Sequence, residues 1–161
     1  MVSACDVPSG ALLARYLIRP GCYVDCFETT VTRQVSLAQF IAAFYTTRLF
    51  RLEWLVLALN LRRRIADAEV AALAQGAESF AAWRVKDRRR NEILLSDQTG
   101  RTRSFLAVQD AEDGNTRLLF GSAVVPAKAT GTDLGTLFRL LLPVHRVYSS
   151  ALLAAARRNI G

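Results

Sequence analysis

The stretch whose reading decides the fold is TDLGTLFRLLLPVHRVYSSALLAAARRNIG, residues 132–161. Within it Leu134, Leu137, Phe138, Leu141, Val144, His145, Tyr148, Leu152 and Ala155 recur at intervals of three and four. That spacing places them on one face of a long amphipathic helix. Pro143 lacks an N–H and crowds the preceding turn, which predicts a kink or a fresh helix start between 133–142 and 144–159. A terminal helix with one apolar stripe needs a surface to lie on, and the residues before it supply one.

From about Phe80 to Pro126 the period changes from helical to two. Ala81, Trp83 and Val85 alternate with Arg84 and Lys86, as in a strand with one wet face. A charged turn at Asp87–Asn91 leads to strands at Glu92–Asp97 and Arg101–Gln109, joined by Thr99-Gly100. Asp113-Gly114 tolerates the positive φ of a tight turn and introduces a strand at Thr116–Val125. The last two strands are apolar on both faces, so one face meets the terminal helix and the other needs further cover.

Upstream, Tyr23–Thr32 reads as a first strand, preceded by residues 1–22 as an N-terminal extension with a short helix near Ser9. Ser36 and Gln39 form a capping box, and Val35 and Phe40 a hydrophobic staple, for a helix over Leu37–Tyr45. Thr46-Thr47 caps a second helix, Arg48–Leu61, which carries Trp54 and ends at Arg62-Arg63-Arg64. Asp67 and Gly76 bracket a third at Ala68–Gln75. The reading is α+β: one domain over residues 1–161, with two or three short helices after the first strand.

Composition narrows the function classes. The chain has 161 residues, 52% of them apolar, and a formal charge of +7. Arginine outnumbers lysine 19 to 2, a usage that follows GC-rich coding, and no nucleic-acid-binding motif accompanies it. The longest uncharged run, Gln34–Thr47, is 14 residues, too short to span a bilayer. No signal-peptide pattern precedes the fold, so the cytoplasm is expected and Cys5, Cys22 and Cys26 are expected as reduced thiols. In a strand Cys22 and Cys26 stand about 13 Å apart, too far for one metal or one disulfide. There is no phosphate loop, zinc-binding His pair, nucleophile elbow or calcium loop in the sequence. No cofactor is implied.

His145, the single histidine, falls on the inward stripe with Tyr148 beyond it. It reads either as a hydrogen-bonded core residue or as a polar contact in a cavity. Asp97 opposes Thr102 across the hairpin, with Arg101 and Arg103 as diagonal neighbours. A structural ion pair is the plain reading there, and an anion-binding pair the alternative. Trp83, Phe105, Phe120, Phe138 and Leu141 read as core or as the lining of an apolar space.

The segments Phe80–Val85, Gly100–Leu106, Phe120–Pro126 and Phe138–Arg146, in this order of elements, resemble an uncharacterised bacterial branch of the START/Bet v 1-like superfamily. Its helix-grip fold wraps a curved antiparallel sheet around the final helix. The resemblance implies a cavity for a hydrophobic or amphipathic small molecule, lipid-like or aromatic. His145, Tyr148, Trp83, Phe105, Arg103, Phe120, Phe138 and Leu141 are the candidate ligand-binding residues. The leading expectation is a non-enzymatic binding protein, and a homodimer is compatible with it. Alternatives are a cyclase- or dehydratase-like enzyme using His145, Tyr148 or Arg103, and an interaction module assisting an oxidoreductase.

Overall fold

The computed structural model describes residues 1–50, 67–126 and 136–161, with side chains in the last segment from residue 142 onward. Among the described residues seven strands form one antiparallel sheet. They are β1 (Ser3–Ala4), β2 (Tyr23–Val31), β3 (Ser79–Phe80), β4 (Trp83–Arg89), β5 (Glu92–Asp97), β6 (Thr102–Asp110) and β7 (Thr116–Val124), in the order β1-β2-β7-β6-β5-β4-β3. Helices α1 (Leu37–Tyr45), α2 (Asp67–Ala74) and α3 (Thr136–Ile160) complete the described elements, with short 3-10 turns at Leu12–Tyr16 and Glu112–Gly114. The α+β class and the pairing of an antiparallel sheet with a long C-terminal helix are as the sequence predicts.

Helix α1 begins where its local chemistry dictates. The Gln39 N–H donates to Ser36 Oγ at 3.2 Å, and the Ser36 N–H donates to Gln39 Oε1 at 2.9 Å, satisfying two donors the first turn would otherwise leave unpaired. The Phe50 N–H donates to Thr47 Oγ1 at 3.2 Å, so a helical turn does start at Arg48; the rest of that predicted helix, with Trp54, lies outside the described residues. Helix α2 ends on Gly76 at φ +115°. The N–H groups of Gly76 and Ala77 return to the carbonyls of Leu73 and Ala72, the Schellman arrangement that suits glycine. Arg88 adds its Nη2 to the Leu73 carbonyl at 2.8 Å.

Three expectations need correction. The charged turn predicted at Asp87–Asn91 is mostly strand, because a bulge between Val85 and Asp87 shifts the alternation and β4 runs on to Arg89. Helix α3 is continuous through Pro143, with no fresh start; the missing N–H costs one bond in a helix whose later turns are packed on the core. The buried stripe of α3 is also turned by one position. Ser149, Leu152, Leu153 and Ala156 are buried, whereas Val144 is 64% exposed.

The sheet has a core on each face. On one side α1, α2 and α3 pack over Phe27, Ile93, Leu95, Leu106, Leu118 and Phe120. The rings of Phe44 and Phe120 meet there at 4.6 Å, and those of Tyr45 and Phe80 at 4.8 Å. The opposite side carries Cys26, Leu94, Phe105, Leu119 and Ala123, covered by Leu12, Leu13 and Tyr16 from the N-terminal segment. Residues 1–22 therefore supply the second cover that the doubly apolar strands require. Gly121 permits the close approach: a Cβ there would collide with Leu13 Cδ2 and stand 3.0 Å from the Asp25 carbonyl oxygen. Arg15 bonded to Asp87 at 2.6 Å and the Leu12 N–H bonded to Glu92 Oε2 at 2.9 Å fasten the cover to the β4–β5 hairpin.

Candidate functional site

Alternation along β2 sends Tyr23, Asp25 and Phe27 to the helical side of the sheet, and alternation along β7 does the same for Leu118, Phe120 and Ser122. Asp25 and Ser122 are direct partners in the β2–β7 register, and Ser122 and Ser104 are partners between β7 and β6. A polar row thus crosses three strands on the helical side of the sheet, beneath α3 at β2 and β7 and beneath α1 at β6. At its inner end Ser104 Oγ and the buried Tyr45 hydroxyl are 2.8 Å apart. At its outer end stands His145.

Ser122 Oγ donates to Asp25 Oδ1 at 2.6 Å, and the Ser122 N–H reaches the same oxygen at 3.2 Å. The Tyr23 hydroxyl donates to Asp25 Oδ2 at 3.0 Å. His145 Nε2 is 2.9 Å from Ser122 Oγ and 3.4 Å from Asp25 Oδ2. The carboxylate only accepts, so it takes the serine proton, and Ser122 Oγ is left to accept from the imidazole. This assigns the proton to Nε2. Nδ1 has no hydrogen-bond partner among the described residues.

The Asp25 side chain is 8% exposed and that of His145 27%. Burial alone would raise the Asp25 carboxyl above its ordinary value. Hydrogen bonds from His145, Ser122 and Tyr23, with the charge His145 can carry, outweigh burial and hold it below. Burial and the neighbouring Asp25 carboxylate push the Tyr23 hydroxyl upward, so it stays a donor. The Tyr23 ring stands edge-on to the imidazole at 6.1 Å. An open groove of about 460 Å³ borders the cluster, lined in part by Tyr23, Asp25 and Arg146. One turn beyond His145, Ser149 Oγ is buried without a hydrogen-bond partner among the described residues.

The arrangement orients an imidazole; it does not build a serine nucleophile. In a nucleophilic triad the histidine stands between serine and acid, using one nitrogen for each. Here one nitrogen meets both, and the serine proton already belongs to the carboxylate.

The predicted site residues divide between the two faces. Trp83, Phe120 and Tyr148 belong to the helical-side core with which His145 is associated. Phe105 is in the opposite core, and Arg103 points the same way, its Nε donating to the Tyr16 hydroxyl at 2.7 Å and its Nη1 to Ser96 Oγ at 2.8 Å. Period-two alternation puts both on the far side of β6 from α3, so neither lines a space between sheet and helix. The side chains of Phe138 and Leu141 lie outside the described residues.

The predicted Asp97–arginine ion pair does not form. Asp97 Oδ1 instead accepts the N–H groups of Arg101 and Thr102 at 2.9 and 3.0 Å, closing the turn. Asp25, Ser122 and Tyr23 are the residues sequence reasoning missed. The available signal was an acidic residue sharing strand parity with Tyr23 and Phe27, between two aromatic residues that face the core side.

Among the described residues no group of three His, Cys, Asp or Glu side chains could hold a metal, and no helix is long and apolar enough to cross a membrane. No protein-family model, curated protein or solved structure matches the chain.

Proposed function

We propose that the protein binds a hydrophobic or amphipathic small molecule on the helical side of the sheet, with the ligand's polar group held by His145. The observation that carries this reading is unused hydrogen-bonding capacity on one face of α3. His145 Nδ1 and Ser149 Oγ, one helical turn apart, lack partners among the described residues. A buried hydroxyl left unpaired costs roughly 1–3 kcal/mol, which a ligand's polar group would offset. Phe120, Trp83 and Tyr148 supply apolar surface on the same side. The strand order, with β2 beside β7 and α3 packed on both, supports treating the chain as a distant member of the START/Bet v 1-like superfamily with a helix-grip fold. Titration with a fluorescent fatty-acid analogue tests the binding. Saturable binding that weakens at least tenfold in His145→Phe is expected, and binding indifferent to that change would refute the role of His145.

A second reading has its own observation. The Asp25 carboxylate, 3.4 Å from His145 Nε2, would stabilise an imidazolium if Nδ1 took a proton from a bound substrate, as a general base does. A cyclase- or dehydratase-like reaction fits that geometry. Its test is turnover of the bound molecule by the wild type and loss of turnover, with binding retained, in His145→Gln.

A further inference from the structure

The three cysteines are free thiols, but two of them face each other. The β1–β2 register pairs Ser3 with Glu28 and Ala4 with Phe27, so one step further Cys5 stands opposite Cys26. The Cys5 N–H donates to the Cys26 carbonyl at 3.0 Å, continuing the ladder. Opposed residues in such a hydrogen-bonded pair have Cα atoms about 5.5 Å apart, within the span of a disulfide. Their side chains also leave the sheet on the same face. Here it is the face under the N-terminal cover, where Cys26 is buried and Cys5 packs at the margin. The two thiols are near enough to perturb one another's ionisation.

We propose that Cys5 and Cys26 are a dithiol site, converted to a cross-strand disulfide by exchange with a low-molecular-weight disulfide. Cys5, the more exposed thiol, loses its proton and attacks one sulfur of the small disulfide, releasing one thiolate and leaving a mixed disulfide. Cys26 then loses its proton and attacks Cys5 Sγ, displacing the second thiolate. Two protein thiols are oxidised, one small disulfide is reduced, and the two protons end on the released thiols.

Burial raises the Cys5 thiol above its ordinary value and is also the main cause of the larger rise at Cys26. Exchange is therefore slow at neutral pH and accelerates with alkalinity. The bond would close a loop containing Leu12, Leu13 and Tyr16, the residues that cover the second core. It would also form in the wall of the groove that Tyr23 and Asp25 share. Oxidation would thus fasten the N-terminal cover beside the candidate site.

The test is to expose the reduced full-length chain to glutathione disulfide at neutral and mildly alkaline pH, then alkylate, digest and map it by mass spectrometry. Wild type and Cys22→Ser should yield a peptide linking Cys5 to Cys26, formed faster at the higher pH, with Tm raised by roughly 5–10 °C. Cys5→Ser should yield no such link. A lasting glutathione adduct on Cys5, a linkage through Cys22, or both thiols still free after prolonged alkaline exposure overturns the proposal.

Discussion

Ser122 Oγ donates to Asp25 Oδ1 at 2.6 Å between two residues that are direct partners in the β2–β7 register. The contact commits the serine proton to the carboxylate and leaves Ser122 as acceptor for His145 Nε2. Proton positions around the imidazole therefore follow from strand pairing, and the pairing is the first thing to test.

Replacing Asp25 with Ala removes the acceptor of the Ser122 and Tyr23 hydroxyls and the carboxylate beside His145. Such a loss costs about 2–3 kcal/mol, a fall in Tm of roughly 5–10 °C for a chain of this size. Thermal unfolding by circular dichroism measures it. An unchanged Tm would show that the cluster is not formed in solution.

The same residue sets an acid limb. Its folded value lies below the ordinary carboxylate range, so its contribution is fully present above the unfolded value near pH 4 and is lost as pH falls through the folded one. Urea midpoints from neutral pH downward should drop more steeply for the wild type than for Asp25→Asn below about pH 4. Parallel curves contradict the assignment.

Gly121 is predicted to tolerate no side chain. Gly121→Ala would push Leu13 out of the second core and crowd the Asp25 carbonyl oxygen, with a loss of about 1–3 kcal/mol. Limited proteolysis should then cut the N-terminal segment sooner than in the wild type. Equal cutting rates would mean that residues 1–22 do not depend on this contact.

Arg103 separates the two faces functionally. It is 7% exposed and held by Tyr16, Ser96 and the Thr102 carbonyl, on the side away from α3. Arg103→Met should leave the affinity for a fatty-acid analogue unchanged and lower stability by about 1–3 kcal/mol, because the buried Tyr16 hydroxyl loses its partner. A tenfold loss of affinity would return Arg103 to the ligand site.

What was legible in the sequence was local. The Ser36–Gln39 box, the Gly76 stop and the Asp113-Gly114 turn act through residues within a few positions of one another, and α1 begins at the box while α2 ends at Gly76. The facing of each strand is not local. Arg103 and Phe105 share a parity that only the packing of Leu12, Leu13 and Tyr16 on that side reveals. Asp25 and Ser122 lie 97 positions apart, and nothing near either one announces the other. The bulge after Val85 has the same character, since it breaks the alternation on which the strand reading depends.

Native mass spectrometry of the protein purified from its own host reads directly whether a small molecule occupies the His145 site. The wild type should carry a bound small molecule of amphipathic character, absent or much depleted on His145→Phe folded to the same Tm. A wild type that carries no small molecule, and takes up none from a lipid extract of its host, would contradict the proposed binding.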